Sequence, residues 1–190
     1  MAKFELYYPK QSKNEGGYAS AKLAASIGDS GGETYRGIAR NYNKDWAGWP
    51  IIDAYIAKNG APKWNSIIPD DKLNKMVVEH SKTAYWDNLR LDDVKNQSLA
   101  ELIGDFGFNS GLGTVARIVQ RLLTITADGK IGNATIKAIN AANQKQLFDS
   151  LKAARIHLIE NSNKIKNSVK PQLIDRTNDF FFHQSENTVD

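Results

Sequence analysis

The sequence predicts a mainly α (α+β) fold, helical throughout except for one small β-hairpin. Three observations carry that prediction. Apolar residues recur at helical spacing in most segments of the chain. Glycine is concentrated in one stretch, residues 15–48, where Gly16, Gly17, Gly28, Gly31, Gly32 and Gly37 all fall. No repeat of solenoid length and no linker rich in Pro, Gly or Ser divides the chain.

Taken in order, the first helix is expected to end at Glu15 and to open near Pro9, because proline is accommodated at a helix start and not in its interior. The glycine-dense stretch that follows reads as turns and close backbone approaches, with the only strands as a short hairpin. Residues 50–58 place Ile51, Ile52, Tyr55 and Ile56 on one face. Pro50 suits the first turn there, and Asn59-Gly60 followed by Pro62 is a stop. Leu73, Met76, Val77, His80 and Ala84 repeat at helical spacing. Ser98 with Glu101 has the form of a capping box opening a helix through Phe106. Val115, Ile118, Val119, Leu122 and Leu123 sit at i, i+3, i+4, i+7 and i+8, an amphipathic helix. Leu147, Leu151, Ala154 and Leu158 give another. Beyond Pro171, the residues Leu173, Ile174, Phe180 and Phe181 suggest a short closing helix. A soft boundary falls at Gly111–Thr114, so the expected division is 1–111 and 112–190, the second part packed on the first.

The chain has 190 residues, 41% of them hydrophobic and 24% charged, with a net charge of +4. That composition is ordinary for a globular protein with a packed core. A modest positive excess favours approach to polyanions, whether nucleic acid, an anionic membrane surface or an acidic cell-wall polymer, but scattered lysines explain it too. Seven Lys/Arg against six Asp/Glu from Ala141 to Asp190 make a mixed tail and not a nucleic-acid arm. Cysteine is absent, which removes disulfides, thiolate metal sites and a cysteine nucleophile. The N-terminal MAKFELYYPK lacks the apolar core and cleavage site of a signal peptide. No run is long enough to span a bilayer.

Two motifs carry candidate chemistry. In Glu15-Gly16-Gly17-Tyr18 a carboxylate ends a polar segment and nothing bulky follows it. General acid catalysis needs such a carboxyl partly buried beside aromatic groups, a wall that Tyr18 or Tyr35 would supply. The alternative is a solvated turn residue. The second motif, from Gly28 to Ile38, offers Asp29 and Glu33 around a glycine-rich turn. Glycosidic cleavage commonly places a second carboxyl opposite the acid; a turn using Asp and Ser for local backbone bonds is the alternative reading. Trp46, Trp49 and Trp64 are candidates for sugar stacking or for packing, while Trp86 on an apolar helix face reads as core. His80, His157 and His183 show no metal spacing, so no metal and no cofactor are expected. No Gly-x-Ser-x-Gly elbow supports a serine triad.

EGGY followed by DSGGETYRGI resembles glycoside hydrolase family 108, the EGGY-motif lysozymes of the lysozyme-like superfamily. The resemblance continues through Tyr85-Trp86, the segment Asp105-Phe106-Gly107-Phe108-Asn109-Ser110-Gly111, Ala116-Arg117…Gln120-Arg121-Leu122-Leu123 and Ala127-Asp128-Gly129-Lys130-Ile131-Gly132…Thr135. It covers roughly residues 10–180. It implies a lysozyme-like helical domain and a C-terminal peptidoglycan-binding region. It also implies cleavage of the β-1,4 bond between N-acetylmuramic acid and N-acetylglucosamine. Glu15 matches the essential glutamate. Asp29 and Thr34 resemble the Asp and Thr that position a water, with Glu33 in reserve for Asp29. Tyr18, Glu33, Tyr35, Tyr85, Asp105 and Asn109 are the expected substrate-lining residues; Asp105 and Asn109, four apart on a helix, are alternatively a buried polar pair bracing the active-site loop. Two departures stand out: the stretch from Glu15 to Asp29 is longer than the family's, and Pro9 falls where the family has an uninterrupted helix. The expected partner is peptidoglycan, with no nucleic acid and no membrane segment, bound by a monomer acting on the cell wall. A wall-binding protein without catalysis and a lytic transglycosylase are the alternative functions.

Overall fold

A computed structural model of the chain describes residues 1–27 and 30–184. Its elements in order are α1 (Phe4–Asn14), β1 (Tyr18–Ala19), α2 (Ala21–Ile27), β2 (Thr34–Tyr35), β3 (Ile38–Ala39), α3 (Trp49–Asn59) and α4 (Asp71–Ser81). A π-helical turn (Lys82–Asp87) and a 3₁₀ turn (Leu91–Asp93) lead to α5 (Gln97–Ser110), α6 (Leu112–Leu122), α7 (Asn133–Ala141), α8 (Gln144–Glu160) and α9 (Lys170–Asn178). The fold is mainly α with a small antiparallel sheet, in the order β1-β2-β3.

The chain forms two compact units. One comprises residues 5–82. Its core is built from Tyr18, Tyr35 and Ile38 of the sheet, Trp49 and Ile52 of α3, Ile68, and Leu73 and Val77 of α4. Tyr18 pairs with Tyr35 and Tyr35 with Ile38 across the sheet, so these side chains share one face and meet the apolar stripe of α3 and α4. The start of α3 carries Pro50, and its end is closed by Gly60 at φ 78° with its N–H on the Ile56 carbonyl, as the sequence predicts.

The other unit comprises residues 1–4 and 83–190. At its centre α5 is buried from Ser98 to Gly107, because Leu99, Ala100, Leu102, Ile103 and Phe106 leave little polar face. It packs against α6 and α8, and α9 packs on α8. Among the described residues no helix is long and apolar enough to cross a membrane.

Four sequence expectations are corrected. Pro9 lies inside α1, not at its start; burial of Tyr7 and Gln11 on one face holds the helix across the missing N–H. The α5 cap is Asn96, whose side chain accepts the Leu99 N–H at 2.9 Å. Ser98 sits within the first turn and accepts from the His183 N–H, while Glu101 is buried and accepts from Gln97. The glycine-rich stretch contains a helix, α2, besides its strands. The closing helix ends at Asn178, so Phe180 and Phe181 lie beyond it. Helix α7 had no counterpart in the sequence reading.

Candidate functional site

Glu15 follows directly on the C-terminus of α1 and is half-buried. The two glycines after it have a steric reason. A Cβ on Gly17 would fall within 3 Å of the backbone oxygens of Ser66 and Asn65, and one on Gly16 would strike the Asn65 side-chain oxygen. The turn is therefore pressed against residues 65–66. Asn65 Oδ1 accepts the Gly17 N–H at 2.8 Å. The Tyr18 N–H donates to the Ser66 carbonyl at 2.9 Å, and the Asn65 N–H to the Tyr18 carbonyl at 2.8 Å. Asn65 itself is left-handed, at φ 63°, a conformation asparagine tolerates better than most residues. The orientation of Glu15 is thus set by a second segment distant in sequence.

A second support comes from the sheet. The link between β2 and β3 is Arg36-Gly37, with φ values of 47° and 81°, the left-handed pair that a tight two-residue hairpin demands. Arginine is an unusual choice at the first position. Its guanidinium donates through Nη1 to Asn74 Oδ1 at 3.1 Å and through Nη2 to the Tyr8 hydroxyl at 3.4 Å. Burial raises the Tyr8 pKa, Arg36 pulls it down, and the negative charge of Glu15 raises it. Tyr8 lies seven residues before Glu15, two helical turns back on the same side. The phenol therefore stays protonated beside Glu15.

The remaining expected site residues of this unit fall into two groups. Thr34 is half-buried on β2, and its hydroxyl donates to the Gly32 carbonyl at 3.2 Å. Tyr18 and Tyr35 are core residues. The Tyr35 hydroxyl accepts the Ile68 N–H at 3.1 Å, and burial raises its pKa. The Tyr18 hydroxyl donates to Glu33 at 2.6 Å, and burial, then that bond, raises its pKa. Glu33 also pairs with Arg40, 3.1 Å away and itself bonded to Asp53. With both oxygens engaged and only 11% of its side chain exposed, Glu33 fixes the sheet to α3. Asp29 lies outside the described residues; the carbonyl of Ser30 accepts from Asn41 at 2.8 Å.

Tyr85, Asp105 and Asn109 belong to the other unit. The Tyr85 ring lies 4.7 Å from that of Phe108. Asp105 is fully buried: Oδ2 accepts from Arg155 at 2.6 Å and Oδ1 from Arg176 at 2.6 Å. Asp105 is thus the centre of a buried ion-pair cluster within this unit and not a group open to a sugar. Asn109 is exposed and donates to the Asp105 carbonyl at 2.8 Å. In the same unit the Asp128-Gly129 turn is organised by the buried Gln120. Its amide donates to Asp128 Oδ1 and the Lys130 carbonyl and accepts the Gly129 N–H. The bond from Gln120, first, lowers the Asp128 pKa.

The tryptophans divide sharply. Trp49 is buried and donates to the Asn43 carbonyl at 2.6 Å. Trp46 packs edge-on against it at 5.1 Å, and Trp86 is buried with its N–H on Asp92. Trp64 alone of the four is 72% exposed. Among the described residues no group of three or more His, Asp or Glu could hold a metal ion. Sequence reasoning did not single out Asn65, Arg36, Tyr8 or Gln120. Tyr8 was readable from its spacing to Glu15, and Arg36-Gly37 as a turn between two short β-prone pairs. The contact of Asn65 with the glycines had no local signal.

A family model described as Glycosyl hydrolase 108 matches residues 10–111, and one described as a predicted peptidoglycan domain matches residues 114–169. No curated protein matches the chain. Among solved structures it is similar to that of Brucella abortus SagA, with 19% identity over 93% of this chain and 94% of that one and a TM-score of 0.62. At that identity the likeness is one of fold.

Proposed function

The chain belongs to the glycosyl hydrolase 108 family, and from that premise we propose that this peptidoglycan hydrolase cuts the β-1,4 bond between N-acetylmuramic acid and N-acetylglucosamine, with Glu15 as general acid. The observation that carries the reading is the placement of Glu15: half-buried at the end of α1, on a turn pinned by Asn65, and coupled to a neutral phenol at Tyr8. Partial burial of a carboxyl is the usual means of keeping it protonated for such chemistry.

In the proposed reaction Glu15 gives its proton to the bridging oxygen as the bond to the anomeric carbon breaks. Water adds to that carbon, guided by Asp29 with Thr34; the proton it loses is taken by the Asp29 carboxylate and returned through solvent to Glu15. The catalytic part is residues 1–111. Residues 112–190, which include the matched peptidoglycan domain, hold the polymer.

The test is Glu15→Gln assayed on purified cell walls by turbidity, with mass spectrometry of the wild-type products. The variant is expected to stay folded and to lose about 10²–10⁴-fold in rate or more. Reducing ends identify hydrolysis. Near-normal lysis by Glu15→Gln refutes the assignment, and 1,6-anhydromuramic ends replace the hydrolase with a transglycosylase. A larger loss from Glu33→Ala than from Asp29→Ala, with Glu33→Ala as stable as wild type in urea, moves the second carboxylate to Glu33.

A further inference from the structure

The turn that pins Glu15 also displays an aromatic side chain. Residues 63–66 close on themselves: the Ser66 N–H and hydroxyl both donate to the Lys63 carbonyl, at 3.1 and 2.7 Å. Trp64 is the second residue of that turn, and the left-handed Asn65 is the third. Pro62 precedes the turn and Pro69 follows it, restricting the backbone on both sides. The indole of Trp64 is 72% exposed, and Ile67, three residues on, is 57% exposed. The other three tryptophans each pack or bond within the protein.

We propose that Trp64 is a sugar-stacking platform flanking Glu15, on which a pyranose ring of the glycan strand lies with its apolar C–H face against the indole. The inference rests on the hydrolase reading above. Two independent features point to it. An indole held in solvent on a rigid turn keeps its large apolar face uncovered but loses little further freedom when a ligand covers it. And its neighbour Asn65 is the residue whose side chain holds the Gly17 N–H and which shapes the space beside Gly16 and Gly17. The segment that bears the indole is therefore tied to the turn that follows Glu15 by three hydrogen bonds, two of them made by Asn65, which suits a strand that must present a particular bond to the acid. A flexible surface tryptophan would need no such brace. Trp64 touches the substrate without taking part in proton transfer, so it sets affinity and the bond chosen, not the chemical step.

The experiment uses the full chain. Because Trp64 is the exposed indole, acrylamide quenches it preferentially. Adding a chitotriose of N-acetylglucosamine units is expected to reduce that quenching in the wild type and to have no effect in Trp64→Ala. On soluble glycan strands Trp64→Ala is expected to raise KM about tenfold, with kcat within about twofold of wild type, and Trp64→Tyr to restore most of the affinity. An exposed site leaves melting nearly unchanged, so a folding defect does not mimic the result. Cleavage by the wild type with an unchanged KM in Trp64→Ala overturns the inference and leaves the hydrolase reading standing. A wild-type dimer that Trp64→Ala converts to monomer, with unchanged KM, also overturns it and assigns the indole to a contact between copies. A wild type that releases no glycan fragments, and whose indole no sugar protects, overturns both readings.

Discussion

Replacing Asp105 with asparagine separates a brace from a ligand. The carboxylate is 0% exposed, and Arg155, which donates to it at 2.6 Å, is 1% exposed. Arg176 donates through Nη2 at 2.6 Å and through Nε at 3.1 Å to Oδ1. The substitution keeps the shape but removes the anion shared by two guanidinium groups, and it turns an N–H₂ donor toward donors. Breaking a buried charge pair by removing one partner costs about 3–5 kcal/mol. At roughly 2–4 °C per kcal/mol for a chain of this size, the melting point should fall by about 6–20 °C. Thermal and urea unfolding measure the loss. KM and kcat of the folded variant at low temperature should remain near wild type, because no sugar reaches a side chain this deep. Stability within about 1 kcal/mol of wild type, or a normal melting point with a raised KM, refutes the bracing assignment. A double substitution, Asp105→Asn with Arg155→Met, should cost less than the sum of the two single changes, since it removes a buried cation together with its anion.

Two further outcomes follow from the other unit. Gly17→Ala places a methyl against the backbone of residues 65–66, which cannot move aside as a side chain would. Losing the three hydrogen bonds that join the two segments should destabilise by about 2–4 kcal/mol and lower activity. Gly16→Ala meets only the end of the Asn65 side chain and should be milder. Equal stability of Gly17→Ala and wild type in urea contradicts the steric account. His80, half-buried with its ring 6.1 Å from that of Trp46, has its pKa lowered by burial. On acidification the unfolded chain takes up this proton first, so the contribution of His80 is complete above its ordinary value of 6.5 and is lost as pH falls through the lower folded value. His80→Gln should flatten the stability profile below pH 6.5, and an unchanged difference between wild type and variant across that range contradicts it.

What the sequence disclosed and what it concealed divide along a physical line. Helices α3, α6 and α8, and the stop of α3, were legible because periodicity, Pro50 and Gly60 act within a few residues of where they are read. The same local logic misplaced the start of α1, since the packing of Tyr7 and Gln11 overrides the loss of one hydrogen bond at Pro9. It also assigned the α5 cap to Ser98 when Asn96, two residues earlier, does the capping. For the candidate site, Glu15 stood out as a carboxylate before two glycines, but the reason for those glycines was not legible. They make room for a backbone nearly fifty residues away, and a contact between distant segments leaves no periodic trace. Asp105 shows the converse: Asp105 and Asn109 at helical spacing suit a cleft and a brace equally well. The choice between them is made by Arg155 and Arg176, which come from α8 and α9. A carboxylate acquires its role from the charge that meets it in the fold. Asp105 meets two guanidinium groups and is committed to an ion pair, whereas Glu15, the proposed acid, meets the Tyr8 phenol, whose proton is held in place by burial and by the charge of Glu15.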